Sequence, residues 1–343
     1  MSNTKRMGKR TIRFDNPPVI IDTASIVGPK EGAGPLSDTF DRIIDDTYFG
    51  EKTWEKAERK LIEESIKLVL NKQNLQAGDI DFLLAGDLLN QMISANFAAG
   101  TLGIPFLGLY GACSTMFEGI TLASVLIDGG FAEKVIAGTS SHYCTAERQY
   151  RFPTEQGVQR PMSSQWTVTG AAAFLLSGEG QGVRVTHATV GKVIDSGIKN
   201  ANDMGAAMAP AAVDTIITHF EDTGRNVKDY DLIITGDLGS VGRSIAVELG
   251  IQKNQDLSML NDCGVLIFDS SQDTHSGGSG CACSAVVTAG FLMNGLRSGR
   301  FKRILVIGTG ALLSVTSSQQ GESIPGIGHA VVLESPDQQA GNL

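Results

Sequence analysis

Two rhythms of apolar residues run along this chain. In residues 54–71 they fall three and four positions apart, at Trp54, Ala57, Leu61 and Leu68, with Ile62, Ile66 and Val69 alongside. That spacing lines one face of a helix. Elsewhere they come as short runs: 81–85, 106–110, 135–137, 171–176, 183–190, 232–235, 265–268, 304–307 and 330–333. Runs of that length predict buried strands. Val19 to Val27 predicts another strand, and residues 1–16 a mobile arm or an early strand. Helices are expected at 94–102, 211–221 and 244–249. Residues 114–127 and 283–296 are apolar almost all round, which predicts two fully buried helices. The stretches 28–46 and 140–167 read as loops. Strands alternate with helices, so the expected class is α/β with a largely parallel sheet in each half.

The layout occurs twice. Asp79-Ile-Asp-Phe-Leu-Leu-Ala-Gly-Asp-Leu88 returns as Asp229-Tyr-Asp-Leu-Ile-Ile-Thr-Gly-Asp-Leu238. Ala112-Cys113-Ser114 returns as Ala282-Cys283-Ser284, Phe131 as Phe301, and Gly138-Thr139 as Gly308-Thr309. Landmarks repeated in one order indicate a duplicated and fused unit. The period is far longer than the roughly 20–50 residues of a solenoid. Two halves, 1–180 and 181–343, are expected to share one body. Their buried helices would lie between two sheets, in a layered α/β/α/β/α arrangement.

Composition narrows the function. With 42% apolar and 19% charged residues the chain reads as a packed protein. Its net charge of −9 disfavours nucleic acid and anionic lipid as partners. No apolar run approaches the roughly 18–20 residues of a membrane helix. The basic, polar start (1–13) does not read as a secretory signal. Five cysteines without a Cys-x-x-Cys pair point to free thiols and a reducing compartment.

Cys113 follows a predicted strand and a glycine and opens the first buried helix. The free N–H groups and partial positive charge of a helix start favour a thiolate, so Cys113 is a nucleophile candidate. A small buried apolar residue is the competing reading. Cys283 has the same setting without a loop to supply an acid or base, and reads as structural. Ligand groups in α/β sheets gather at the carboxyl ends of strands, where Asp87, Cys113 and His142 fall. His142 reads as a site group or as a solvated loop residue. Asp87 and Asn90 serve equally well as helix caps. Arg148, Arg151 and Arg160 form a loop cluster, fit to grip a carboxylate or simply to be solvated. Gly277-Gly278-Ser279-Gly280 precedes the second buried helix and suits an anion, or is only a tight turn. Walker, zinc, calcium and dinucleotide patterns are missing, so no cofactor or metal is expected.

Gly111-Ala-Cys-Ser114 before a buried helix resembles the thiolase superfamily, and so do Thr169-Gly-Ala-Ala-Ala-Phe-Leu-Leu176 and the run 296–310. Its ketoacyl synthase III enzymes are the nearest. Closer still, over nearly the whole chain, is the stage V sporulation AD family of spore-forming bacteria. Val27-Gly-Pro-Lys-Glu31, Ala85-Gly-Asp-Leu-Leu-Asn-Gln91, Thr145-Ala-Glu-Arg-Gln149, Asp203-Met-Gly205 and the run 277–287 carry that resemblance. It implies a thiolase-like fold and binding of dipicolinic acid (pyridine-2,6-dicarboxylate). It implies uptake of that acid into the developing spore, alone or with calcium, and a part in its release on germination. It also implies membrane-protein partners of the same uptake complex, a homodimer, and a place in the cytoplasm or at the spore inner membrane through those partners.

Against the enzymes, the chain keeps the nucleophile and loses its helpers. Ketoacyl synthases III carry a His-Gln-Ala-Asn motif after a second-half strand; here that region reads Thr235-Gly-Asp-Leu-Gly-Ser-Val-Gly242. Their Gly-Asn-Thr asparagine falls at Ser279. His275 is one residue off the Gly-His-Pro spacing of thiolases, and 324–329 offers no second cysteine. Losing such groups costs orders of magnitude in rate. The expectation is therefore a degenerate pocket whose two helix starts face the two carboxylates of a planar dianion. Cys113, His142, Asp87, Asn90, Gly278, Ser279 and Arg148 are its expected ligand-binding residues, with no catalytic residue. Two alternatives stay open: an acyl-CoA-dependent acyltransferase or ketosynthase using Cys113 with His142 as base, and a scaffold subunit of a membrane channel complex.

Overall fold

The computed structural model describes residues 4–151 and 160–336. The ends of the expected N-terminal arm and second half, and residues 152–159 of the expected loop, lie outside them.

Local signals start the first half. Thr53 accepts the Lys56 amide at 3.4 Å and caps helix α1, Trp54–Lys72. Strand β1 is Val19–Val27, β2 Phe82–Gly86, β3 Phe106–Gly108, β4 Lys134–Ser141 and β5 Gly170–Ser177. Helices α2 (Ile93–Leu102), α3 (Thr115–Asp128) and α4 (Tyr143–Gln149) complete this half. The second half holds β6 (Val183–Thr189), α5 (Met204–Thr223), β7 (Leu232–Thr235), α6 (Gly239–Gln252), β8 (Asn261–Asp262) and α7 (Cys263–Ile267). It ends with α8 (Cys281–Val287), β9 (Arg303–Ala311) and β10 (Gly326–Glu334).

The strand order is β3-β2-β4-β5-β1 in one half and β8-β7-β9-β10-β6 in the other, the same sequence of positions twice. The halves join where β6 meets β1, at Val183–Ile20 and Arg184–Val19. The duplicated motifs thus become duplicated topology. Phe117 and Ile120 of α3 and Val286 of α8 share one core with Phe174 of β5 and Val306 of β9. The two helices are buried between the half-sheets, as the layered fold requires.

Four expectations need correction. The sheet is mixed, not largely parallel. β2 runs parallel to β3 and β4, and β7 to β8 and β9. β5 is antiparallel to β4 and β1, and β10 to β9 and β6. Hydrophobic runs report burial; direction depends on whether the connection crosses over. Residues 265–268 are no strand: the Val265 amide donates to Asp262 Oδ1 at 3.1 Å and starts the short helix α7. A four-residue apolar run fits either element. The expected loops contain structure: a helical turn at Pro29–Gly32, a strand at Arg42–Ile43 beside β1, and α4. Finally, α3 is not buried all round, because Leu122 and Val125 are 38% and 37% exposed. Among the described residues, no helix is long and apolar enough to cross a membrane.

Candidate functional site

Cys113 sits on a tight elbow. Ala112 has φ +50°, uncommon for a residue with a Cβ. Ser114 Oγ donates to Gly111 O at 2.6 Å and Thr115 Oγ1 to Ala112 O at 2.7 Å. The elbow presses on β9, where a Cβ on Gly310 would lie 2.4 Å from Gly111 O. This delivers Cys113, nearly buried, to the ends of both half-sheets.

Asp237 ends β7 and turns into the same place. It accepts Thr309 Oγ1 at 2.7 Å and the Gly280 amide at 2.9 Å, and receives the Cys113 thiol and the Ser279 hydroxyl. Burial pushes the Cys113 thiol well above its usual range, and the Asp237 carboxylate and Cys281 push it further. Arg151 pulls the other way with less effect. Of the two readings of Cys113, these surroundings favour the small buried thiol. Desolvation and an adjacent negative charge outweigh the helix start.

A cavity opens above this pair. Cys113, Ser279, Arg151, Tyr110, Tyr150 and Met204 line it, and Leu88, Ala311 and Leu313 complete the wall. It measures about 20 Å³, enough for ordered water. Arg151 is the cation of this lining. Its Nη2 donates to Ser279 Oγ at 3.0 Å and its Nη1 to Gln165 O. Its Nε is buried without a partner. Gln165 stiffens the frame by donating to Asp237 O at 2.7 Å and Gly278 O at 2.8 Å. Burial also raises the Tyr110 hydroxyl to about 12 and the Tyr150 hydroxyl well above its usual range, so both phenols keep their protons.

Of the expected site residues, Cys113 and Ser279 line this cavity and the other five do not. Asp87 takes the cap role: it accepts the Leu89 amide in the turn before α2 at 2.8 Å and the Ala95 amide in its first turn at 2.7 Å. His142 caps α4 through Nδ1, which accepts the Cys144 amide at 3.1 Å, while Nε2 meets Thr47 O at 2.8 Å. Burial depresses its pKa, so the imidazole is neutral with both nitrogens engaged. Asn90 is exposed, and its amide donates to Gln149 Oε1 at 3.0 Å. Arg148 is an exposed partner of Glu55 at 3.2 Å. Gly278 pairs with Trp166 in a short parallel ladder, and a Cβ there would meet Ile267 at 2.8 Å. The sequence pattern does not single out Asp237, Tyr110 or Tyr150. Asp237 was legible as the repeat of Asp87. Arg151 stood in the arginine cluster, but nothing in the sequence ranked it above Arg148. Among the described residues, no three His, Cys, Asp or Glu side chains gather as a metal site.

Solved structures share this architecture at low identity. Ketoacyl synthase III from Aquifex aeolicus VF5 matches with 14% identity, over 92% of this chain and 99% of its own, at a TM-score of 0.56. The Xanthomonas oryzae pv. oryzae enzyme matches at 14%, over 94% and 100%, with a TM-score of 0.61. The fold is therefore the thiolase-like fold of ketoacyl synthase III. The sequence profile of the stage V sporulation protein AD family matches residues 8–334. Stage V sporulation protein AD of Bacillus subtilis (strain 168) is 49% identical over 331 residues, covering 96% of this chain and 98% of that protein. The chain belongs to the stage V sporulation protein AD family. In this member of the family the thiolase-like fold thus carries Asp237 beside the elbow cysteine.

Proposed function

We propose that this protein binds dipicolinic acid at Cys113 without chemical turnover and serves its uptake into the developing spore and its release on germination. The observation that carries this reading is Arg151, a largely buried guanidinium lining the pocket with its Nε unpaired. An anionic carboxylate would satisfy it. Two protonated phenols supply further donors for a second carboxylate. The cavity is smaller than a planar diacid, so binding requires the Arg151 and Met204 side chains to draw back. Calcium would arrive held by the diacid. The acyltransferase alternative is disfavoured: acylation needs a thiolate and a base, whereas Cys113 keeps its proton and His142 is spent on a cap.

A second copy of the chain fits the first half's open edge. There β3 has no outer neighbour among the described residues, and Leu107 on it is exposed, as are Phe97, Leu122, Val125 and Phe131 in the same half. This supports a homodimer, which light scattering on the purified protein would test. Contact with membrane proteins of an uptake complex belongs to the same proposal.

Titration calorimetry with dipicolinate, with and without calcium, tests the binding. One site per chain is expected, weakened at least about tenfold in Arg151→Ala, the loss of one charged hydrogen-bonding group. Picolinate, with one carboxylate, should bind more weakly. A flat trace, or Cys113 acylated by radiolabelled acyl-CoA, would overturn the reading.

A further inference from the structure

A second cavity, of about 720 Å³, lies on the outer side of α5. Its floor is made by Pro210, Val213, Asp214, Ile217, Thr218 and Glu221. These recur at steps of three and four, one stripe of the helix, and eleven steps make it roughly 16 Å long. Ile194 and Leu249 add apolar surface from two other segments. Lys9, Arg10, Lys192 and Lys253 supply the rim.

The charges here run against the rest of the chain. Four cations face two carboxylates, Asp214 and Glu221, on a protein whose net charge is −9. Asp214 is already shared by Arg10 at 2.5 Å and Lys192 at 3.0 Å. Nearby Asp222 is taken by the amides of Lys9, Arg10 and Thr11, which pin the N-terminal arm to α5. Arg10 Nη1 remains buried without a partner. Lys9 and Lys253 have no ion pair among the described residues.

We propose that this groove docks an acidic amphipathic helix of a partner protein. An apolar stripe on such a helix would lie along Val213, Ile217 and Leu249, and its flanking carboxylates would meet the rim cations. The groove's length suits about three helical turns. A bilayer is disfavoured, because its face cannot follow a recessed floor and the chain's overall charge repels anionic lipid.

The test uses the full chain and fluorescein-labelled leucine–glutamate helical peptides, read by fluorescence anisotropy. Lysine-flanked peptides and phosphatidylserine vesicles run in parallel. The glutamate peptides should bind, weaken with salt, and lose at least about tenfold in Lys9→Glu/Lys253→Glu. That pair lies outside the Cys113 pocket and outside the ion pairs of the described residues, so its melting temperature should match the parent. In the parent chain the peptide should also slow amide exchange across residues 210–221. Failure of the glutamate peptides to bind, equal binding of lysine-flanked ones, or no loss in the double variant overturns the proposal. Vesicle binding that the same double variant abolishes would also overturn it, and would assign the groove to lipid.

Discussion

Gly86-Asp87-Leu88 and Gly236-Asp237-Leu238 end equivalent strands of the two halves, yet the two aspartates do different work. Asp87 turns toward its own helix and holds the Leu89 amide of the preceding turn and the Ala95 amide in the first turn of α2. Asp237 turns inward and holds Thr309, Gly280, Ser279 and the Cys113 thiol. A third carboxylate explains the freedom. Asp262 accepts the Leu238 and Gly239 amides at 2.8 and 3.0 Å, so α6 is capped without Asp237. The paired threonines diverge in step: Thr139 donates to the Gly86 carbonyl, Thr309 to the Asp237 carboxylate, each at 2.7 Å. Duplication gave two copies of one position; capping from elsewhere released one copy to shape the pocket.

Removing Asp237 should hit hardest. Asp237→Ala leaves several buried donors unpaired, and a loss of about 3 kcal/mol is expected in thermal or urea unfolding. It also removes the charge that, after burial, does most to raise the Cys113 thiol, so iodoacetamide should alkylate Cys113 faster. Asp237→Asn should keep more of the stability and still speed alkylation. Unchanged alkylation in both variants would break the contrast drawn above.

Asp87 should respond to pH instead. Burial raises its carboxyl to about 6, against the pull of its capping amides. Its unfolded value is near 3.9. The folded state therefore holds this proton to higher pH than the unfolded chain does. The stability Asp87 contributes should be greatest below pH 4, fall as pH climbs to about 6, and level off above. Glu58, buried beside it and also raised, adds to the same trend. Asp87→Asn should flatten the slope of melting temperature between pH 4 and 6, a change on the order of 2–3 kcal/mol. An unaltered slope would place the titration elsewhere.

Asp87→Ala should cost about 1 kcal/mol, the usual worth of a cap, and leave Cys113 alkylation as it was. The smallest effect is expected at Arg148. Its exposed contact with Glu55 is worth a few tenths of a kcal/mol, so Arg148→Ala should change neither stability nor dipicolinate titration. Arg151→Ala provides the contrast in the same titration. A reversed ranking of the two arginines would remove the cavity at Cys113 from the binding proposal.

The linear pattern of this chain was enough to establish its duplication, the identity and centres of most strands and long helices, and the elbow at Cys113. Those features depend on local spacing, and the 150- and 170-residue repeats are visible by direct reading. Strand direction, the helix at 263–267 and the ionisation of Cys113 were decided only in three dimensions. A thiol's proton depends on what burial removes and which charge lies opposite, and Asp237 is 124 residues away along the chain. The same holds for Arg148 and Arg151, three positions apart on the sequence. One points to water and Glu55; the other is held by Gln165, 14 positions on, and by Ser279 from the other half. Local sequence sets which residues can cap, pack or carry charge; the joining of two folded halves sets which of them meet.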